Sequence, residues 1–405
     1  MSFDAAAAAV ADHLLEQEFV EVLAHHDADG IAAASILCHA LFREGGQFRL
    51  RIRSRITSGD VPADAAVLLC DFGSGLADLP ENVVVVDHHV PHFEGAYHVN
   101  PRLFGIDGDR EMSAAGAAYQ VAQHMGDNRD LVGLAVLGII GDGQDFTGQN
   151  REIISDGIAN GYVAPRRGLR LAGRSIAEQL ALAINPYLDG VSGDEAAVRS
   201  VIATCSGDED LDLESLLSLV LLKVSPHTSV DAMCGIYGNT YGLGREVLDE
   251  AHSLAALIDA CGKAGAGDIG ASLCLRSTAA LPEAWEIAVR HRRAVIDAIA
   301  NLRQPEDRLF LFEVENGTVI SDVADALASS RPYDTPVFVI GPKGDRCSVS
   351  ARCPAGVDVD LEALIRRLAE ECGGHGGGHA RRAGAVVPQE QIDRFRAELA
   401  EAVAV

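Results

Sequence analysis

One stretch constrains this chain more than any other: Val83-Val84-Val85-Val86-Asp87-His88-His89-Val90-Pro91. A run of four β-branched residues reads as a strand buried on both faces, the habit of a parallel sheet in an α/β protein. Pro91 has no amide hydrogen and cannot extend a ladder, so the strand stops there. Asp87, His88 and His89 thereby fall at the strand's carboxyl end, the edge at which open α/β sheets bind ligands. The expected fold is α/β, with a parallel sheet in the N-terminal part.

The same arrangement recurs. Residues 19–24 (Phe-Val-Glu-Val-Leu-Ala) form a strand that runs into His25-His26-Asp27-Ala28-Asp29-Gly30 and then an apolar helix over 31–42. Alternation puts His25, Asp27 and Asp29 on one side and His26 on the other. Two carboxylates and an imidazole that close together titrate badly without a cation between them. The mixture suits a divalent ion such as Mn2+; capping of the helix by Asp27 or Asp29 is a second, compatible role. Residues 65–70 are another buried strand, ending in Asp71-Phe72-Gly73. Residues 47–53 read as an edge strand, and Ser113 caps a small-residue helix to 125. The apolar, helical segment 131–140 leads into Gly141-Asp142-Gly143-Gln144-Asp145. A lone aspartate after an apolar element is ordinarily a turn residue; four, two of them beside histidines, mark a site.

Residues 151–295 read as mainly helical, with packing helices at 211–222 and 247–260 and a glycine-rich connector at 262–270. His291-Arg292-Arg293 lies on a helix, as a solvated face or a connector touching substrate. Beyond residue 300 the pattern returns to α/β: strands at 309–313, 336–340 and 346–352, helices at 321–329, 359–371 and 389–403. Between the last two helices lies Cys372-Gly373-Gly374-His375-Gly376-Gly377-Gly378-His379-Ala380-Arg381-Arg382. Glycines that expose backbone N–H groups beside cations suit a phosphate cradle; a flexible linker is the alternative. The expected domains are 1–150, 151–295 as a helical extension, and 300–405.

Charge bears on the setting. The chain has 33 basic and 59 acidic residues, a net charge of −26, and its only lysines are Lys223, Lys263 and Lys343. An acidic, lysine-poor surface suits molar salt, where screening shortens the Debye length to about 3 Å; a halophilic cytoplasm is expected. Net acidity would ordinarily argue against nucleic acid, but high salt cancels most of that electrostatic term. Nine cysteines without a Cys-x-x-Cys pair point to reduced thiols. No apolar run approaches the roughly 18–20 residues of a membrane span, and residues 1–9 lack a basic segment, so neither membrane insertion nor secretion is expected.

With these residues in view, the chain resembles the DHH phosphoesterase superfamily. Asp87-His88-His89 behind a valine strand resembles its signature, His25-x-Asp27-x-Asp29-Gly30 its first motif, Asp71-x-Gly73 its second and Gly141-Asp142 its fourth. The glycine-rich segment 373–379 with Ala383-Gly384-Ala385 resembles the DHHA1 substrate-binding domain, and Ser348-x-Ser350-x-Arg352 its arginine-bearing strand. The helical middle is most similar to archaeal RecJ-type single-strand nucleases. The resemblance implies two divalent ions, Mn2+ or Mg2+, one held by His25, Asp27 and Asp71, the other by Asp29, Asp71, His88 and Asp142. It implies a substrate-facing His89, a supporting Asp87 that orients a ligand histidine, and phosphate binding by Arg352 and His379 with His375, Gly377 and Gly378, in an interdomain cleft. Arg381-Arg382 departs from relatives, which carry smaller or apolar residues there, and bears on substrate charge or length. The implied activity is exonucleolytic hydrolysis of single-stranded DNA or RNA, in company with replication or repair proteins. The alternatives are a phosphodiesterase for short oligonucleotides or cyclic dinucleotides, and a non-catalytic subunit of a replication complex.

Overall fold

The computed structural model describes residues 2–76, 78–206, 211–303 and 309–403. The chain divides into two compact units, Met1–Gly168 with Asn239–Ala288, and Leu169–Gly238 with Val289–Val405. Among the described residues no helix is long and apolar enough to cross a membrane.

The first unit is built on α1 (Phe3–Leu15), β1 (Phe19–His25), α2 (Ala28–Arg43), β2 (Gln47–Arg53), β3 (Ala66–Cys70), β4 (Val84–Val86), β5 (His98–Val99), α3 (Ala114–Met125), α4 (Val132–Gly141) and α5 (Gly148–Ala159). Its strands run parallel in the order β2-β1-β3-β4-β5. The valine run is buried on both faces, as its composition requires. Val84 and Val86 join Val22, Ala24, Leu68 and the helices in the main core, while Val83 and Val85 join Leu23, Val67 and Leu69 in a smaller core opposite. Strand order reverses between β1 and β3, and ligands of open parallel sheets bind at such a switch point, outside the carboxyl ends of the strands. Both β1 and β3 end there in aspartate-bearing loops.

The middle of the chain contains β6 (Val163–Leu169), α6 (Ile176–Ala181), α7 (Glu195–Cys205), α8 (Leu213–Val224), α9 (Val230–Gly235), β7 (Tyr237–Leu243), α10 (Ala251–Lys263), α11 (Gly267–Cys274) and α12 (Leu281–Ala300). β6 and β7 interrupt the helices expected there. Pro165, Arg166 and Arg167 are exposed in β6, so it lacks the alternation that marks a half-buried strand.

The second unit's sheet comprises β8 (Phe310–Glu313), β9 (Val337–Lys343), β10 (Arg346–Arg352), β11 (His375–His379) and β12 (Arg382–Pro388), in the order β11-β12-β10-β9-β8. β8 is parallel to β9 and the other pairs are antiparallel. One face packs Phe338, Ile340, Val349, Ala385 and Val387 on α14 (Leu361–Glu371) and α15 (Ile392–Val403). On the other, Val337 and Val339 lie beneath α13 (Ile320–Ser330). The glycine-rich segment is therefore an edge strand, a conformation that glycine content disfavours. Contact explains it: a Cβ on Gly376 would stand 3.1 Å from the Ile365 carbonyl oxygen of α14, and one on Gly374 2.3 Å from that of Val386. These glycines let a helix backbone lie against a strand backbone.

Candidate functional site

At the switch point β1 delivers His25, and Asp27 caps α2, its carboxylate accepting from Gly30 N at 3.0 Å. His25 Nδ1 lies 2.7 Å from Asp27 Oδ2 and 3.1 Å from Asp71 Oδ2. Asp71 follows β3 in the left-handed backbone region, φ 58°, which few non-glycine residues adopt. Strain of this kind clusters where a site over-determines the backbone. Its Oδ2 faces His25, while Oδ1 is 3.3 Å from His88 Nε2 and 3.4 Å from His89 Nδ1. That buried Oδ1 makes no hydrogen bond.

His88 Nδ1 is 2.5 Å from the Gly108 carbonyl oxygen, which fixes the proton on that nitrogen. Nε2, then the lone-pair side of the ring, is 3.3 Å from Asp71 Oδ1, 3.2 Å from Asp142 Oδ2 and 3.9 Å from Asp29 Oδ2. An acceptor turned to three carboxylates demands a proton or a cation. Donor atoms of His25, Asp27 and Asp71 lie within 4.8 Å of one another, as do those of Asp29, His88 and Asp142, and of Asp71, His88 and His89.

The charges respond accordingly. Burial lowers the pKa of His88, but Asp142, Asp71 and Asp29 outweigh it and hold the imidazole well above its ordinary value. His25 is raised in the same way, burial being overcome by Asp27 and Asp71. Burial, with Asp142 and Asp71 adding repulsion, pushes Asp29 well above the carboxylate range. His26, on the opposite side of its loop, is driven down to about 4 by burial and by His25. A cluster that takes up protons in this way is one in which a cation can replace them.

Two expectations are refined. Asp29 serves α3 as well as the cluster: Oδ2 accepts from Ala114 N at 2.7 Å and Oδ1 from Ala115 N at 2.8 Å. Asp87 orients His89 rather than His88, since its Oδ1 is 2.7 Å from His89 Nδ1 and also accepts from the His88 and His89 amides. Burial opposes ionisation of Asp87, but His89 and His88 hold its pKa well below the usual range.

The supporting residues had no role assigned from sequence. Gln144 Nε2 donates to the Gly108 carbonyl at 2.9 Å, and Asn150 Nδ2 donates to Gln144 Oε1 at 2.9 Å. Asn100 Nδ2 ties the His89 carbonyl to Ser74 Oγ, and Arg102 Nε donates to the His88 carbonyl at 2.7 Å. Gly108 is held to glycine, because a Cβ there would stand 2.4 Å from the His88 carbonyl oxygen.

In the second unit, strand alternation sets His375, Gly377 and His379 on one side of β11. Nothing lies within 4 Å of a Cβ built on Gly377, whereas Gly378 (φ +144°) would meet the Arg382 carbonyl oxygen at 2.3 Å. The glycines at 374, 376 and 378 are thus fixed by packing, and Gly377 belongs to the open side. Arg352 ends β10 with Nε 2.5 Å from Asp325 Oδ1. The cations after β11 are engaged too: Arg381 donates to the Pro354 and Val357 carbonyls, each at 2.7 Å, and Arg382 to Asp325.

Residues 20–139 match the DHH family, N-terminal domain, and residues 309–405 match the DHHA1 domain. The chain belongs to the DHH/DHHA1 superfamily, a phosphoesterase class. Within that class it is RecJ-like. It is 25% identical over 410 residues to an uncharacterized protein of Methanocaldococcus jannaschii, covering 93% of this chain and 91% of that one. Identity with the single-stranded-DNA-specific exonuclease RecJ of Bacillus subtilis is 26% over 225 residues, 48% of this chain and 29% of that one. RecJ from Thermus thermophilus in complex with Mn2+ superposes with a TM-score of 0.63 at 20% identity, over 99% of this chain and 54% of that one. CDC45 from Entamoeba histolytica gives 0.65 at 11%, over 98% and 97%. These two structural likenesses establish the fold.

Proposed function

We propose that the protein is a metal-dependent phosphodiesterase that degrades single-stranded nucleic acid as an exonuclease. The observation that carries this reading is His88 Nε2, turned to Asp29, Asp71 and Asp142 while Gly108 holds Nδ1. Carboxylate and imidazole donors with the orphaned Asp71 Oδ1 fit two divalent ions. His25, Asp27 and Asp71 would hold one ion and Asp29, Asp71, His88 and Asp142 the other, with Asp71 shared. When bound, such a pair supplies a nucleophile at neutral pH and neutralises charge on the attacking and leaving oxygens of an in-line displacement. The imidazole share of the donor set favours Mn2+ over Mg2+.

The protein's own groups do the rest. Asp87 keeps the His89 ring in place, and His89 binds the scissile phosphate or hands a proton to the leaving oxygen. The Gly108 carbonyl, braced by Gln144, holds a proton on Nδ1 of His88 and so leaves Nε2 as the nitrogen aimed at the carboxylates. There a cation would take the place of the proton that the carboxylates favour. In the second unit Arg352, His375, Gly377, Gly378 and His379 form the substrate-binding group. The acidic, lysine-poor surface suits catalysis in a salt-rich cytoplasm, and replication or repair proteins are the proposed partners.

The likeness to CDC45 supports a second reading, a non-catalytic subunit of a replication assembly. The full set of donors at the switch point favours catalysis. Incubation of long end-labelled DNA and RNA single strands with Mn2+ in molar KCl tests the proposal, and progressive shortening from one end is expected. Intact long strands with cleavage only of short oligonucleotides or cyclic dinucleotides would make it a small-substrate enzyme. No cleavage of any of them would leave the non-catalytic reading.

A further inference from the structure

One buried serine of the first unit meets the loop between β4 and β5 through its backbone and its side chain. Gly73 takes φ +106°, and a Cβ there would stand 2.9 Å from the Leu69 side chain and 3.0 Å from that of Val85. The chain after β3 therefore turns tightly against β4, which sets Ser74 beside the loop that starts at Asp87. The Ser74 amide donates to Asp87 Oδ2 at 3.0 Å, and the Ser74 carbonyl accepts from the His92 amide at 2.8 Å. Its hydroxyl accepts from Asn100 Nδ2 at 2.9 Å and lies 3.0 Å from His98 Nε2.

Asn100 carries this clamp to His89. Its Nδ2 donates to the His89 carbonyl at 2.8 Å as well as to Ser74, and its Oδ1 accepts from Arg102 N at 3.0 Å, capping the short helix at 101–104. Ser74 and Asn100 are fully buried, so a polar atom that lost its partner there would have no water to turn to. The ring of His89 is fixed from its other end. Asp87 Oδ1 sits 2.7 Å from His89 Nδ1, and the second oxygen of the same carboxylate is the one on the Ser74 amide. Ring partner and backbone of His89 are thus anchored on one serine, whereas the bracing of His88 runs through the Gly108 carbonyl and Gln144.

We propose that Ser74 and Asn100 are positioning residues of the hydrolysis, which hold His89 where it meets the scissile phosphate and leave the hold on the ions to other groups. The inference rests on the proposed function and adds which residues set His89 in place. A group that serves a transition state must stay within about 0.5 Å of its productive position. The His89 side chain is 36% exposed, so packing alone does not fix it, and tethers on its backbone and on Nδ1 supply what packing lacks.

The test uses the full chain with Mn2+ and an end-labelled oligothymidylate, in steady-state and single-turnover hydrolysis. Ser74→Ala keeps the amide and carbonyl contacts and removes only the hydroxyl. Asn100→Asp keeps the oxygen that caps the short helix and removes the donor. Each is expected to lower kcat about tenfold, with KM little changed and with Mn2+ affinity, measured by calorimetry, at the parent's value. In a His89→Ala background, followed by single turnover, Ser74→Ala should cost no further rate, because residues that act as a unit are not additive. Parent protein that cuts while Ser74→Ala and Asn100→Asp cut equally well overturns this inference alone. The same further loss in the His89→Ala background also overturns it, since the serine would then act through the fold and not through His89. A fall in Mn2+ affinity that matches the fall in kcat overturns it by moving the role to the ion cluster. A parent that cuts no strand of any length overturns the proposed function itself.

Discussion

Both units are built on a five-stranded sheet, yet the two sheets present their chemistry in different places. In the parallel sheet every strand points the same way, so residues that follow β1, β3 and β4 gather at one edge. His25, Asp71 and His88 come from separate strand ends, and their side chains meet beyond the sheet. In the antiparallel part of the second sheet no such common edge exists, and what aligns is a row across strands: Arg352, Arg382 and His379. Edges concentrate opposite charges into a pocket for cations, while a sheet face spreads donors at strand spacing, about 4.8 Å, and suits an extended anion.

The largest effects should separate these two devices. His88→Ala or Asp71→Asn removes donors from the edge cluster, and hydrolysis should fall by about a thousandfold or more, because water without the ions returns toward its bulk pKa. Unchanged hydrolysis in both variants would mean that the parallel sheet's edge is not the reaction centre. A smaller loss is expected one layer out. Gln144→Leu removes the donor that braces the Gly108 carbonyl, so His88 is held less firmly. Mn2+ affinity, measured by calorimetry, should drop about 10- to 100-fold, and wild-type affinity in that variant would deny Gln144 its role.

The two devices also differed in how far the sequence exposed them. The valine strand and the aspartates at element ends were legible because burial with period two and a sudden polar ending are both local patterns. Asp29 was legible as a site residue but not as the residue that holds Ala114 and Ala115, which lie 85 and 86 positions away. Nothing local announces that the Gly108 carbonyl fixes the His88 tautomer; the one trace is a glycine where a Cβ would strike the His88 backbone. The run from Gly373 to Gly378 invited a loop reading, since glycine is poor in strands, and only its contact with α14 explains the ladder. Asp325 sits mid-helix with no sequence feature to distinguish it from a solvated carboxylate.

That run offers a sharper test of the row. Gly374→Ala would set a methyl 2.3 Å from the Val386 carbonyl oxygen and should cost on the order of 2 kcal/mol. Gly377→Ala meets nothing within 4 Å and should change stability by less than about 0.5 kcal/mol, any effect appearing in KM. Denaturant titration of the two variants checks the contrast. Equal destabilisation would mean that both sides of β11 are packed, and the row would lose its open face.

The smallest expected effect concerns a carboxylate between two arginines in the first unit. Asp130 accepts from Arg43 at 2.7 and 2.8 Å and from Arg276 at 2.8 Å, and Arg276 also reaches the buried Glu246 at 3.2 Å. Two charges of each sign balance there, Arg43 and Arg276 against Asp130 and Glu246. Burial opposes ionisation of Asp130, but hydrogen bonds and charge from Arg43 and Arg276 hold its carboxyl far below the usual range. A depressed folded-state pKa means that the stabilisation is complete above the unfolded value near 4 and is lost as pH falls through the folded one. Asp130→Asn should therefore cost about 1 kcal/mol at neutral pH and flatten the loss of stability below about pH 4. KM for the single strand should stay where it was, because a balanced cluster offers a phosphate nothing. A rise in KM would mean that this arginine pair bears on substrate as well as on the fold.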